Sequence, residues 1–477
     1  MSFPKDQQPD QADATTPDRA QKAQPNEAEP GTNINRQLLA LAVPTFGQLI
    51  AEPAFVLIDT AIVGHIGDTA LAGLSVGSTI VLTTVGLCVF LAYGTTSKVA
   101  QLIGAGRRKE GMETGVDGLW LALIIGIVVS LALFLFARPL CWAMGARGAM
   151  LDQAIRYLQA IVFGVPGMLL VYAANGIFRG LEKVRITLAG AVFGAVVNTV
   201  LDFLFVFGFH WGVAGSGWAT FAAQWAMGLF LVIPALRWAR AEGASWRPHL
   251  AGILNTAGDG VPLFVRSLAL RLSLLATVVL ATHMGTQVLA AYQAVNSSWN
   301  FVLNMLDAIG IAGQALVATE LGAGHRAQAR TITSTSAKAG LYSGLVIGLG
   351  LIVAGFLTAP IFSGTPAVQT LIIAGMVVQG LFLPLAGWMW ALDGILIGAG
   401  DFNYLAVTCS LTALAYLGAL AGLGACNQAG LIPSDITRMV TLWAVFNIIF
   451  IGGRALFNGL RARTDKWMPK TMQPTLY

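Results

Sequence analysis

Asp59 and Asp202 each interrupt a long apolar run, Phe55-Val-Leu-Ile-Asp59-Thr-Ala-Ile-Val63 and Asn198-Thr-Val-Leu-Asp202-Phe-Leu-Phe205. A carboxylate in such a setting is costly to keep as a bare anion unless a proton, a cation or a base neutralises it. Asn198 and Asp202 are spaced i, i+4, so both lie on one face of a helix. An acid beside an amide can carry a proton or supply ligands to a sodium ion. The competing reading is a hydrogen-bonded pair of acids that only holds helices together. Glu52, Asp307 and Asp393 are further acids in apolar sequence and fit either role. Arg266 and Arg271 are the only basic residues expected deep in a span, and could simply neutralise Asp307 or Asp393.

The elements that must position these residues follow from composition. The chain has 477 residues, 56% hydrophobic and 11% charged. Soluble domains carry about 25% charged residues, so the chain reads as all-α and membrane-embedded. About 20 apolar residues cross a bilayer, which predicts twelve spans. They fall near 37–65, 72–103, 115–137, 152–178, 184–208, 213–236, 256–283, 290–320, 332–358, 368–397, 402–424 and 436–459. Sixteen Lys and Arg, from Arg107 to Lys470 and including Arg179, fall on one side of this topology. Arg138, Arg147, Arg156 and Arg438 fall on the other. Basic loops stay inside, so both termini are expected in the cytoplasm and the chain in the cell (inner) membrane. Residues 1–35 are polar and lack an apolar stretch, which predicts a disordered cytoplasmic tail.

The chain repeats itself at an offset of 218. Val43-Pro44 matches Val261-Pro262, and His65-Ile-Gly67 matches His283-Met-Gly285. Gly104-Ala-Gly106-Arg-Arg108 matches Gly322-Ala-Gly324-His-Arg326, and Gly176-Ile-Phe-Arg-Gly180 matches Gly394-Ile-Leu-Ile-Gly398. The predicted organisation is therefore two six-helix lobes, 36–240 and 255–462, related by a pseudo-two-fold along the membrane normal. A cytoplasmic linker, 241–254, joins them, and 463–477 forms a cytoplasmic C-terminal tail. Parallel repeats of this kind make carriers with a cleft between lobes. Asp59 aligns with Thr277 and Asp202 with Leu420, so these acids belong to the first lobe alone.

These segments resemble the multidrug and toxic compound extrusion (MATE) family, and within it the DinF-like branch. The likeness is carried by Val43-Pro44, Asp59-Thr-Ala-Ile-Val-Gly64-His-Ile-Gly67, Leu71-Ala-Gly-Leu74 and the Gly-Ala-Gly turns at 104 and 322. Asn175-Gly-Ile-Phe-Arg-Gly180, Asn198 to Asp202 and Asp393-Gly-Ile-Leu-Ile-Gly398 complete it. The resemblance spans about residues 36–462. It implies a twelve-helix V-shaped fold and efflux of cationic or amphipathic organic compounds in exchange for H+ or Na+. It also implies a first-lobe cavity holding two aspartates, two asparagines and a threonine. The residues standing there are Asp59, Asp202, Asn175, Asn198 and Thr220. Sodium, if used, would sit at Asp59 and Asp202; no other metal, no cofactor and no nucleic acid is expected, and the chain is expected to be monomeric.

Other chemistries fit poorly. Gly73-Leu-Ser75-Val-Gly77 has the spacing of a nucleophile elbow but opens an apolar span instead of joining strand to helix. Gly398-Ala-Gly-Asp401 resembles a motif of intramembrane aspartyl proteases, but the Tyr-Asp partner is missing from the chain. No P-loop pattern occurs, so ATP is not the direct energy source. The remaining alternative is a flippase for lipid-linked precursors, which would need a basic cleft to hold pyrophosphate. The charge lining the central cavity separates the two: acidic in the first lobe for cation efflux, basic in the cleft for the flippase.

Overall fold

The computed structural model describes residues 33–469, with the side chains of Glu52, Phe55, Val56 and Leu57 outside the described set. The expectations for Glu52, for most of the N-terminal tail and for residues 470–477 therefore lie outside the described residues. The described residues are almost entirely helical. Helix α1 (Ile34–Gly64) opens at Asn33, whose side chain accepts from the Asn35 amide. The predicted boundary at 35 moves accordingly, because Asn33 already caps the helix.

Among the described residues eleven helices, all of them after α1, are long and apolar enough to cross a membrane, against the twelve spans expected. They are α2 (Asp68–Gly104), α3 (Arg108–Leu135), α4 (Gly148–Gly180), α5 (Val184–Gly208), α6 (Gly212–Ala241), α7 (Leu250–His283), α8 (Thr286–Gly322), α9 (Arg326–Phe362), α10 (Pro366–Ala399), α11 (Phe402–Gln428) and α12 (Asp435–Ala462). Several begin before the predicted spans: α3 at 108 against 115, α7 at 250 against 256 and α9 at 326 against 332. Their first turns are polar, so apolar counting misses them while the helical hydrogen bonds continue. Two helices contain a π-helical turn. A π-helical turn, Phe203–Gly208, follows Asp202 directly, and another, Phe446–Ile451, precedes Arg454. Such turns re-phase a helix and often mark functional positions.

The duplication is written into the backbone as well. Positive φ recurs at the same offset of 218 at Gly67 and Gly285, Gly106 and Gly324, Glu182 and Gly400, and Gly212 and Gly430. Glu182 holds φ 58° where its partner Gly400 holds 80°, so the turn is retained although only one copy has the residue best suited to it. The ends of α2 and α8 cross reciprocally. A Cβ on Gly104 would strike the Thr319 carbonyl, and one on Gly322 would strike the Gln101 carbonyl. Gln101 and Thr319 are themselves 218 apart.

Around this crossing the two halves are tied by polar side chains. Ser97 Oγ donates to the Ile397 carbonyl at 2.7 Å and Gln101 Nε2 to the Gly398 carbonyl at 2.7 Å. Gln314 Nε2 donates to the Tyr93 carbonyl at 2.8 Å. Lys98 pairs with Asp259 at 3.1 Å, joining α2 to α7. Within the second half, Gly340, Gly344 and Gly348 line one face of α9 and abut the backbone of α10 at Gly387, Leu383 and Gly380. Small residues at that spacing let helices approach closely without an aqueous hydrophobic drive. The opposite face of α9 exposes Leu345, Val346, Leu349, Val353, Phe356 and Leu357. A face so apolar suits lipid contact.

The reciprocal crossing should tolerate no side chain. Gly104→Val or Gly322→Val is expected to destabilise by about 1–3 kcal/mol, the range for overpacking. Gly350→Ala has open space around its Cβ and serves as the control. The measurement is the thermal midpoint of purified protein; equal midpoints for all three would remove the crossing from the account.

Candidate functional site

Asp59 on α1 and Asp202 on α5 stand side by side in the interior of the first half. Both are buried, Asp202 completely. Thr220 on α6 links them to the asparagine. Its Oγ1 donates to Asp59 Oδ2 at 3.2 Å and accepts from Asn198 Nδ2 at 3.4 Å. Asn175 on α4 lines the same cavity as Asp59 and Thr220, a pocket of about 100 Å³. All five residues expected to meet in the first half therefore do meet there. Two more join them that the sequence did not single out: Ser216 beside Asp202, and Tyr157 beside Thr220.

The cluster has many acceptors and few donors. Asp59 Oδ1, both Asp202 oxygens, Asn175 Oδ1 and Asn198 Oδ1 are buried without a hydrogen-bond partner. Asp59 is the one charged side chain among the described residues lining its cavity. Two adjacent carboxylates in a low-dielectric site do not both stay ionised cheaply, and a hydrogen bond between them needs a shared proton. A proton or a small hard cation fills that need. Among the described residues, no group of three or more His, Cys, Asp and Glu is arranged to hold a metal ion.

The second half treats its acids differently. Asp393 on α10 pairs with Arg266 of α7, with Arg454 Nη2 of α12 at 3.2 Å, and accepts from Asn458 Nδ2 at 3.1 Å. Arg454 also lies over the Trp390 ring, 4.9 Å from its centroid. Asp307 on α8 accepts from the Tyr93 hydroxyl at 3.0 Å. Arg266 thus neutralises Asp393, as one of the sequence alternatives had it. All of these but Asn458 line a central cleft of about 510 Å³ between the halves. Gln48, Leu82, Tyr172 and Asn175 line both the cleft and the first-half cavity, so the two share a wall.

Two expectations about basic residues are corrected here. Arg179 is not a loop charge: it is buried at the end of α4, lines the cleft, and donates to Gln48 Oε1 at 3.0 Å. Arg266 and Arg271 are not alone deep in the fold, since Arg179 and Arg454 line the same cleft. The available signal was spacing. Arg179 follows Asn175 by four residues, and Asn458 follows Arg454 by four, each pair marking a polar face on an otherwise apolar helix. Asp259, inside the span expected at 256–283, is a further acid not singled out by the sequence, and it pairs with Lys98.

Membrane-length helices in two repeated halves around a polar cleft define a polytopic membrane transporter. The MatE family profile matches residues 44–204 and 262–419, more than half of the chain. The chain belongs to the MatE family, whose members are transporters and not enzymes. The two matches begin 218 residues apart, the offset of the internal repeat. The chain is 28% identical over 377 residues to DNA damage-inducible protein F of Escherichia coli, covering 77% of this chain and 81% of that protein. It is 28% identical over 461 residues to Multidrug resistance protein MdtK of Yersinia pseudotuberculosis, covering 93% and 97%. Its fold matches the Vibrio cholerae MATE transporter VcmN in the bent form, with TM-score 0.81, 21% identity and coverage of 91% and 99%.

The two kinds of buried acid should respond oppositely to neutralisation. Asp393→Asn strands two buried guanidiniums and should cost about 3–5 kcal/mol, seen as poor expression or a large drop in thermal midpoint. Asp59→Asn removes a charge that no base offsets and should leave the midpoint unchanged or raised. A reversed order of the two midpoints would show that the pairing has been misread.

Proposed function

We propose that the chain is a secondary active exporter of small amphipathic organic compounds, exchanging them for H+ or Na+ bound at Asp59 and Asp202. In this reading α1 to α6 form one six-helix lobe, 36–240, and α7 to α12 the other, 255–462, with residues 241–254 joining them. The lobes rock about the α2–α8 crossing in the cell (inner) membrane with both termini cytoplasmic, and one chain suffices. The carrying observation is the unneutralised Asp59–Asp202 pair beside a cavity that shares a wall with the central cleft. The likeness to Multidrug resistance protein MdtK supports export. No cofactor enters the scheme.

The sequence of events follows from charge. Occupied by a proton or Na+, the pair carries less net charge, and α1, α4, α5 and α6 pack around it. Released, it repels itself and favours another packing of the same four helices. Gln48 and Asn175 transmit that change to the cleft because they belong to both walls. By linkage, substrate must alter ion affinity by the same factor that the ion alters substrate affinity, typically about 1–3 kcal/mol. Compounds with a cationic group find their counter-charge at the first-lobe acids. A second reading, the flippase for lipid-linked precursors, gains support from one specific observation: four arginines line the cleft instead of two.

Asparagine mimics the protonated acid and separates these schemes. Asp59→Asn and Asp202→Asn should express and fold, yet lose gradient-driven efflux from proteoliposomes. The double variant should be little worse than either single one, since both acids serve one step. Wild-type pumping by both single variants would falsify the coupling role. Orientation has its own check: a cysteine replacing Ser2 should resist an impermeant thiol reagent in intact cells, and rapid labelling would invert the topology.

A further inference from the structure

The central cleft has more positive charge than its own acids can offset. Arg179, Arg266, Arg271 and Arg454 line it, against Asp307 and Asp393. Among the described lining residues the arginines outnumber the carboxylates. The excess is not spread evenly. Asp393 binds Arg266 and Arg454 tightly, which makes that trio a structural brace. Asp307 accepts from the Tyr93 hydroxyl and lies near enough to Arg179 to feel its charge, but the two form no direct ion pair. Arg271 has no carboxylate within ion-pairing distance among the described residues. Arg179 meets the neutral amide of Gln48, and its Nε is buried without a partner.

A buried guanidinium with a free N–H is an acceptor-seeking group, and planar two-oxygen acids suit it best. The walls beyond the arginines are apolar. Trp299, Trp390, Phe446 and Phe450 line the same cleft, and Trp299 packs edge-on against both Trp390 and Phe446. The volume of about 510 Å³ falls in the range of sites for drug-sized molecules, about 300–1,000 Å³.

We infer that the central cleft is a binding site for an organic anion, with Arg179 and Arg271 holding a carboxylate or phosphate and the aromatic wall holding its apolar body. This adds anionic amphipathic compounds to the substrates of the exporter proposed above and rests on that reading for its place in transport. The same chemistry could arrive on a soluble aromatic acid or on the headgroup of an anionic lipid.

The test uses purified full-length protein in nanodiscs of phosphatidylcholine and calorimetric binding of one ring system with different heads. The probes are naphthoate, naphthyl phosphate, naphthylmethylammonium and naphthalenemethanol. The two anions should bind, and the cation and alcohol should bind more weakly. Arg179→Gln and Arg271→Gln should each weaken anion binding about tenfold or more, the scale of a lost charge-assisted hydrogen bond, and leave the alcohol unchanged. Arg271 is exposed to the cleft, so Arg271→Glu should fold even if Arg179→Gln does not, and should shift preference toward the ammonium. A second arm adds phosphatidylglycerol. Suppression of naphthoate binding by that lipid assigns the site to a lipid headgroup; no suppression assigns it to a soluble acid. Ammonium binding as tightly as naphthoate, or naphthoate affinity unchanged in Arg271→Gln and Arg271→Glu, overturns the inference. Loss of gradient-driven efflux in Asp59→Asn beside unchanged naphthoate binding in the arginine variants would leave the exporter standing and remove only the anion site.

Discussion

Everything polar in this fold answers to the cost of keeping charge out of water. A bare carboxylate or guanidinium in a low-dielectric interior must be paired, protonated or bound to an ion. The chain uses two solutions in its two halves. In the second half, Asp393 is held by two guanidiniums and an amide, and the whole group is fixed. In the first half, Asp59 and Asp202 face each other with no base beside them and with several acceptor oxygens unfilled. A closed network can hold a structure but cannot exchange an ion. An open set of acceptors can exchange one, because its neutralising partner is free to leave.

The repeat makes the contrast a comparison at matched positions. At the offset of 218, Gln48 corresponds to Arg266 and Asn175 to Asp393. Two neutral amides in one half stand where the other half has an ion pair. Asp59 corresponds to Thr277 and Asn198 to Tyr416, and those two hydroxyls share a hydrogen bond of 2.8 Å. The duplicated backbone has thus been retained, down to its positive-φ turns, while the charge has been redistributed. Gln48 and Asn175, the neutral members of the swapped positions, are two of the four residues that line both cavities. They can feel the charge at the acid pair without closing it off.

The fold was largely legible because lipid imposes a simple rule on sequence. Long apolar runs, an exact-offset repeat of short motifs and one-sided basic loops mark the helices and their duplication, and only polar helix ends such as 108–114 escaped. The first-half site was legible for a different reason: isolated acids in apolar sequence are expensive enough to stand out singly. The cleft was not, because its chemistry depends on partners. Arg179 and Arg454 sit near helix ends, where a basic residue ordinarily reads as a loop charge, and only the packing of α4 and α12 shows that they turn inward. Likewise Asp393 looks like Asp59 in sequence. What separates them is that Arg266 and Arg454, 127 and 61 residues away, meet only the former.

An acidic ion site beside a basic cleft has an energetic consequence that neither has alone. With the proposed orientation, the membrane potential is negative inside, and each elementary charge moved across it is worth about 2.3 kcal/mol per 100 mV. Exchanging one proton for one organic monocation moves no net charge, so only the proton concentration gradient would drive export. Exchanging one proton inward for one organic anion outward moves two charges, both in the direction that the potential favours. The drive from the potential alone is then about 4.6 kcal/mol per 100 mV, twice the single-charge value. An exporter of anions therefore needs only loose ion coupling to concentrate its substrate outside. A shared wall of neutral amides, Gln48 and Asn175, supplies coupling of that modest kind. A direct salt bridge between the acid pair and the cleft arginines would instead neutralise both sites and close the cycle.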